Sequence, residues 1–447
     1  MKVHFIAMGG SVMHSLAIAL AKEGHHVTGS DDAIYDPARS RLAEHNLLPE
    51  SEGWHPEHIS ADLDAVILGM HAFADNPELK RAQELGVKVY SFPEFIHEQS
   101  LHKQRIVVTG SFGKTTVTSM LMHVLKKAGK DFDYLVGAQV PGFDNSVKIT
   151  KEAPLLVVEG DEYLASRLDP RPKFLLYKPH IIVLNGIDWD HVNVFPTEQV
   201  YIDAFTQLMK GLPKAGSVIY NQEDPIVDEL VESEIDSHIH YGYPFTCPNY
   251  RVENGEFQIK RKRKRKWEPV KVVGKHNLMN LAAAAEVCSI LGIEISEFMG
   301  YIADFRGPDL RLQVLQDDEE QLVIRDYAHA PEKVRASVAA IREQYPNRRL
   351  IALAELHTFS SLNESFLPRY KGALAPADVA AVLARPEEVS RKRLPEISAA
   401  QIQQGFGQSD LQVFATSNEL SVFLKDQQKP GDVVLMMSSG NFGGMLG

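Results

Sequence analysis

The stretch Arg105-Ile106-Val107-Val108-Thr109-Gly110-Ser111-Phe112-Gly113-Lys114-Thr115-Thr116 decides how this chain is read. Its β-branched run Ile106 to Val108 predicts a strand, the glycines permit a sharp turn, and the apolar spacing through Met120 and Leu121 to Gly129 predicts a helix. A strand, a glycine-bearing loop and a helix in that order turn successive backbone N–H groups and a helix N-terminus toward an anion. Lys114 is then placed to reach the terminal phosphates of a nucleotide, and a threonine hydroxyl, that of Thr115, to ligate Mg²⁺. The candidate ATP-binding residues of this loop are Gly110, Ser111, Phe112, Gly113, Lys114, Thr115 and Thr116. Val108 stands where the commonest phosphate-loop pattern has its first glycine, so this is a shortened form, pointing to ATP-dependent ligases more than to GTPases or helicases.

On both sides of the loop, apolar runs of strand length alternate with helix-period segments, the pattern of α/β folds with mainly parallel sheets. Three blocks follow from it. Residues 1–102 open with Val3 to Met8 and continue with strands at His26 to Ser30, Asp64 to Gly69 and Val87 to Phe92, a Rossmann-like arrangement. Residues 103–306 hold the phosphate loop and the runs Leu155 to Val158 and His180 to Leu184, a central P-loop ATPase domain with a mostly parallel sheet. Residues 307–447 carry strands at Leu322 to Ile324, Leu350 to Leu353, Val379 to Leu383, Gln412 to Ala415 and Val433 to Met436, again Rossmann-like.

The composition is that of a globular protein: 447 residues, 44% hydrophobic and 24% charged. Lys and Arg number 47 against 59 Asp and Glu, and the net charge of −12 argues against nucleic acid as a partner. The basic run Lys260 to Lys266 reads as a solvated hairpin tip. No run reaches the roughly 18 apolar residues of a membrane span, and the N-terminus lacks a secretory pattern. With only two cysteines, Cys247 and Cys288, read as free thiols, the expected compartment is the cytoplasm.

In open α/β sheets, ligands gather at the carboxyl ends of strands. Val157-Val158-Glu159-Gly160-Asp161-Glu162 delivers carboxylates there; Glu159 is the expected Mg²⁺ ligand and Glu162 a plain turn residue. Asn185 to His191 ends the next strand, and His191 flanked by acids is a candidate second metal ligand. In Gly274-Lys275-His276-Asn277-Leu278-Met279-Asn280, His276 can stack on a purine while Asn277 and Asn280 read its edge; the same residues equally suit a helix N-terminus with Asn capping. Gly9-Gly10 followed by Asp31 superficially copies a dinucleotide fingerprint, but Ala7 and Val12 replace its glycines, which argues against NAD.

These motifs in this order, Thr-Gly-Ser-Phe-Gly-Lys-Thr-Thr, Glu159-Gly-Asp-Glu, Asn185 to His191 and Gly274-Lys-His-Asn with Asn280, resemble the Mur ligase family over essentially the whole chain. The resemblance implies an ATP- and Mg²⁺-dependent carboxylate–amine ligase working through an acyl phosphate. It implies a UDP-sugar domain (1–102, with Gly9, Gly10, Ser11, Asp31 and His71), an ATP domain (103–306) and an amine-substrate domain (307–447, with His357, Ser360, Asn363, Ser439 and Asn441). It implies catalytic roles for Lys114, Glu159, His191 and Arg311, metal ligation by Thr115, Glu159 and His191, and Asp326 and His329 completing the ATP site. Ala330 replaces a second histidine usual after His329, and no lysine lies between His191 and Lys210 to be carbamylated. Within the family, the sequence resembles the branch whose carboxylate is UDP-N-acetylmuramic acid itself. Glu159 to Tyr163 with Asp169 to Phe174, Asn185 to Phe195, and Met437 to Gly444 favour joining the tripeptide L-alanyl-γ-D-glutamyl-meso-diaminopimelate, a peptidoglycan-recycling reaction. The alternative is addition of free L-alanine.

Overall fold

The computed structural model describes residues 1–236, 240–261, 265–318 and 320–446. Four sheets organise it. The first orders its strands His26–Ser30, Lys2–Ile6, Ala65–Leu68 and Val89–Ser91, all parallel. The carboxylate of Asp31, just past the first of these, accepts the Gly9 N–H at 2.7 Å and closes the loop after Lys2–Ile6. Pro93 stands in the first turn of the helix Phe92–Glu98, where its missing N–H is no loss, behind a Ser91–Glu94 capping box.

The second sheet has seven strands in the order Tyr241–Phe245, Ser217–Asn221, Ile181–Leu184, Gln104–Thr109, Leu155–Glu159, Asp133–Leu135 and Val147–Lys148, parallel except at the last. Gln104–Thr109 lies between Leu155–Glu159 and Ile181–Leu184. That order sets the phosphate loop, the Glu159 to Glu162 segment and the Asn185 to His191 segment side by side at one sheet edge. Ile106, Val107 and Val108 are fully buried, as a strand with both faces covered requires. The edge strand Tyr241–Phe245 contains Gly242, which weakens a strand, and Pro244, which the ladder tolerates at an edge.

Asn249–Glu253, Glu256–Lys260 and Glu268–Val270 form a small antiparallel sheet. The hairpin expected at the basic run is present, with Arg261 pinned to Glu268 at 2.7 Å; residues 262–264 lie outside the described residues.

The fourth sheet orders Gln313–Asp317, Gln321–Asp326, Asp432–Met437, Leu350–Leu356, Val379–Ala384 and Gln412–Phe414, parallel apart from the exposed first strand. Its central carboxyl ends carry Asp326 to His329, Ser438 with Ser439, and His357 to Ser361. Helix Lys275–Ile290 of the middle region meets helix Pro331–Gln344 so closely that a Cβ on Gly274 would come within 2.4 Å of Ala340 Cβ. The carboxyl edges of the second and fourth sheets face each other across the molecule's main cavity. No described helix is long and apolar enough to cross a membrane.

Candidate active site

Backbone geometry makes the phosphate loop. Gly110 and Gly113 adopt φ of +111° and +77°, which favour glycine, and Gly113 caps helix Lys114–Lys127. A Cβ on Gly113 would sit 2.2 Å from both Asn185 Nδ2 and Asn280 Oδ1, so those amides close over the loop. Asn185 Nδ2 donates to Asn280 Oδ1 at 2.8 Å, and Asn280 Nδ2 to Asn277 Oδ1 at 3.1 Å. Asn277 donates in turn to Val273 O, so the amides expected to read a base here form one rigid chain along the loop. The ring of Phe112 lies where a side chain on Gly186 would be. Ser111 is held by Tyr201 at 2.9 Å and by the Asp188 N–H at 2.8 Å.

Lys114 donates to Gly110 O at 2.6 Å and pairs with Glu162 at 2.7 Å, both side chains largely buried. Glu162 is therefore not the turn residue expected: it is 1% exposed and joins Lys114 to His191, whose Nε2 lies 3.3 Å from its Oε1. Burial opposes its ionisation, but the charges of Lys114 and His191 prevail and hold the carboxyl down at about 2. Burial likewise works against His191 charging, yet Glu162, Asp190 and Asp161 outweigh it and the ring's pKa moves up. No signal in sequence spacing separates Glu162 from Glu159; only the bend after the strand aims it inward.

Glu159 faces elsewhere, accepting from Thr115 Oγ1 at 2.7 Å and from the Gly137 N–H at 2.6 Å. Two oxygen-rich sets thus flank Lys114: Thr115 with Glu159, and Asp161, Glu162 and His191, whose ligand atoms lie within 4.8 Å of one another. Hard oxygens with one imidazole suit a divalent cation shared with phosphate oxygens. Asp161 is also paired with Lys173 at 2.5 Å, a contact missed in sequence.

From the opposite sheet come Arg311, Asp326 and His329. Arg311 stacks on Tyr327, 4.4 Å from the ring centroid, with Nη2 3.5 Å from Thr115 Oγ1. Asp326 accepts the Leu312 and Tyr327 N–H groups and the Ser337 hydroxyl, and so fixes the loop that carries Arg311. Burial pushes His329 down to about 3, leaving it neutral, with Nδ1 against Tyr327 O. His276 is also lowered by burial, and its Nδ1 is buried without a hydrogen-bond partner. The cavity between these walls has a volume of about 1280 Å³ and is lined by the loop, Glu159, Glu162, His191, His276, Asn280, Arg311, Asp326, His329 and Ser439.

A second cavity of about 220 Å³ opens beside it, sharing Asp190, His191, His329 and Thr358 and adding Tyr163, Asn193, His357, Ser360 and Lys392. Of the residues expected to hold an amine, His357 and Ser360 line it, with Ser360 donating to Asp190 at 2.9 Å. Asn363 and Asn441 instead hold local turns, accepting from Ser365 and Gly444. Gly9, Gly10, Ser11 and His71 lie at the carboxyl ends of the adjacent strands Lys2–Ile6 and Ala65–Leu68, with His71 exposed.

Family models match along the chain: "Mur ligase family, catalytic domain" at residues 2–104, "Mur ligase middle domain" at 108–288 and "Mur ligase, glutamate ligase domain" at 310–440. The UDP-N-acetylmuramate–L-alanine ligase of Desulfitobacterium hafniense is 27% identical over 98% of this chain and 97% of its own. The fold is shared with the UDP-N-acetylmuramate-alanine ligase of Thermotoga maritima (TM-score 0.71, 21% identity, 99% and 96% coverage). It is shared too with a murein peptide ligase of Psychrobacter arcticus (TM-score 0.68, 22% identity, 99% and 97% coverage).

The expectation of tripeptide joining is corrected by the full-length curated relatives, which are named for L-alanine. The stretches that favoured it are held by contacts with neighbouring segments of the fold. Tyr163 accepts from Asn193 and packs edge-on to His191, Asp169 pairs with Arg171, and Ser438 and the Phe442 N–H bond to the buried Glu355. With three family domains spanning nearly its whole length and the phosphate loop, carboxylates and facing sheet edges in place, this chain belongs to the Mur ligase family, the ATP- and Mg²⁺-dependent, ADP-forming amide ligases of peptidoglycan biosynthesis.

Proposed function

We propose that this chain joins the carboxylate of UDP-N-acetylmuramic acid to the amine of L-alanine. The observation that carries this is the 220 Å³ cavity opening onto the phosphate-loop cavity through Asp190, His191, His329 and Thr358. It is smaller than the roughly 300 to 1,000 Å³ of clefts for larger organic ligands, and suits one small amino acid better than an extended tripeptide. The names of the full-length relatives support the same choice.

A carboxylate resists an amine because its oxygen leaves poorly, so the γ-phosphoryl group of ATP is first moved onto it. Lys114 and the N–H groups of 110–116 hold the β- and γ-phosphates, and the Asn185–Asn280–Asn277 chain keeps that loop in shape. Thr115 with Glu159, and Glu162 with His191 and Asp161, would hold Mg²⁺, which when bound neutralises phosphate charge. Arg311 brings a guanidinium to the same phosphates from the facing sheet, fixed through Asp326. His276 stands at the base end of the nucleotide. Gly9, Gly10 and Ser11, with His71, receive the UDP group, while Asp31 holds their loop closed. His357, Ser360 and Ser439 surround the amine substrate.

Phosphate release with Mg-ATP and UDP-N-acetylmuramic acid, comparing L-alanine with the tripeptide, tests this. Faster turnover on L-alanine is expected; preference for the tripeptide would overturn the assignment.

A further inference from the structure

Five lysines and arginines line the phosphate-loop cavity: Lys114, Lys275, Arg311, Lys333 and Arg335. Four have partners. Lys114 pairs with Glu162, Lys275 with Glu223, Arg335 with Glu332, and Arg311 stacks on Tyr327. Lys333 has no hydrogen bond or ion pair among the described residues.

Its position makes this unusual. Lys333 is the third residue of helix Pro331–Gln344, at the end where the helix dipole disfavours a cation and where Glu332 is the natural neighbour. It is half-buried, and the charges acting on it are Asp190, Lys114, Glu162 and Arg311, groups that line the phosphate-loop cavity. Burial, the largest influence, pushes its pKa down, as follows for an ammonium withdrawn from water without a full partner. A lysine held against its helix dipole and facing a cavity built for phosphate lacks an anion that the reaction brings.

We propose that Lys333 is a further catalytic residue, which places its ammonium on the phosphoryl group in flight and on the acyl phosphate it forms, from the wall opposite Lys114. In the first step the bond from the γ-phosphorus to the β–γ bridging oxygen breaks, and ADP leaves with the electron pair. A bond forms from phosphorus to a carboxylate oxygen. In the second the amine nitrogen attacks the acyl carbon, the C–OP bond breaks, phosphate leaves with its electron pair, and the amine gives up a proton. Negative charge stays on the phosphoryl oxygens throughout, and Lys333 meets it from helix Pro331–Gln344 of the facing wall. The role rests on the phosphates lying at Lys114, as proposed above.

The test compares wild type, Lys333→Met, Lys333→Arg and Lys114→Met by steady-state phosphate release, each checked for folding by thermal melting. Lys333→Met is expected to lower kcat by about 100-fold with KM for ATP and for the amine within threefold of wild type, as for loss of one charge-stabilising donor. Lys333→Arg is expected to restore kcat to within tenfold. A kcat within twofold of wild type in Lys333→Met would overturn the role, as would an equal loss in Lys333→Arg or a loss confined to the amine KM. Should Lys333→Met not fold, Lys333→Gln is read by the same criteria. Full activity in Lys114→Met would instead remove the phosphate placement itself, whereas loss there with no loss in Lys333→Met would dismiss Lys333 alone.

Discussion

Lys114 is tied into the fold as firmly as into the chemistry. Its ammonium neutralises a carboxylate, Glu162, that is 1% exposed, and removing it leaves that charge buried with His191 and the Tyr201 hydroxyl beside it. Lys114→Met should abolish ligation and also lower the melting temperature, measured by calorimetry at neutral pH; an unchanged melting temperature would show the pair to be energetically idle. Asp31 gives a pH test. Burial, aided by Asp32, raises its carboxyl from 3.8 to about 6, so folding favours the protonated form. That contribution is complete below about pH 4 and is lost as pH rises through 6. Asn at this position can still accept the Gly9 N–H. Asp31→Asn should therefore gain stability relative to wild type between pH 4 and 7, read from melting temperatures across that range; a constant difference would argue that Asp31 titrates normally. At this scale the sequence showed Lys114 and Glu159 through their spacing from the strands. Glu162 was hidden because its burial and pairing, and Lys333 because the cavity it lines, come from segments far away in the chain.

Among the elements, strand Gln104–Thr109 organises the middle sheet, and its entry is held by a buried ion pair. Lys103 Nζ lies 2.8 Å from Asp133 and donates to Thr150 O and Ala153 O, with both charged side chains fully buried. Lys103→Met should cost about 3–5 kcal/mol because Asp133, left with only the Thr150 N–H and hydroxyl, keeps a buried charge without a counter-ion; denaturant unfolding measures it, and a loss under 1 kcal/mol would contradict the pairing. The strands at Gln104–Thr109, Leu155–Glu159 and Ile181–Leu184 were legible because apolar β-branched runs mark buried parallel strands. Tyr241–Phe245 and Gln313–Asp317 were not: both are edge strands with polar, glycine or proline positions that carry no such pattern. The phosphate-loop residues were visible as a motif, while the Asn185–Asn280 bond that closes over Gly113 joins residues 95 apart.

For the whole molecule, the proposed mechanism draws on two sheet edges that meet at the main cavity. Arg369 bridges them, 2.5 Å from Asp188 of the middle region, beside the edge-on rings of Trp189 and Phe366. Ser360 adds its bond to Asp190 nearby. Loss of this clasp in Arg369→Ala should enlarge the radius of gyration in small-angle scattering and lower kcat; an unchanged radius with full activity would show that the edges stay together without it. Arg41 performs a similar service between the first sheet and the middle one, reaching Asn145 at 2.6 Å. Family membership could be read from motif order, but the amine substrate could not, since Tyr163, Asp169 and Ser438 gain their roles only in the folded loops. The central claim is that the cavity between the facing sheets activates a carboxylate with ATP. Its most direct test supplies UDP-N-acetylmuramic acid labelled with ¹⁸O in the carboxylate, together with Mg-ATP and L-alanine, and weighs the released phosphate. Each phosphate should carry one oxygen from the carboxylate and ADP should be the sole nucleotide product; unlabelled phosphate, or AMP in place of ADP, would contradict it.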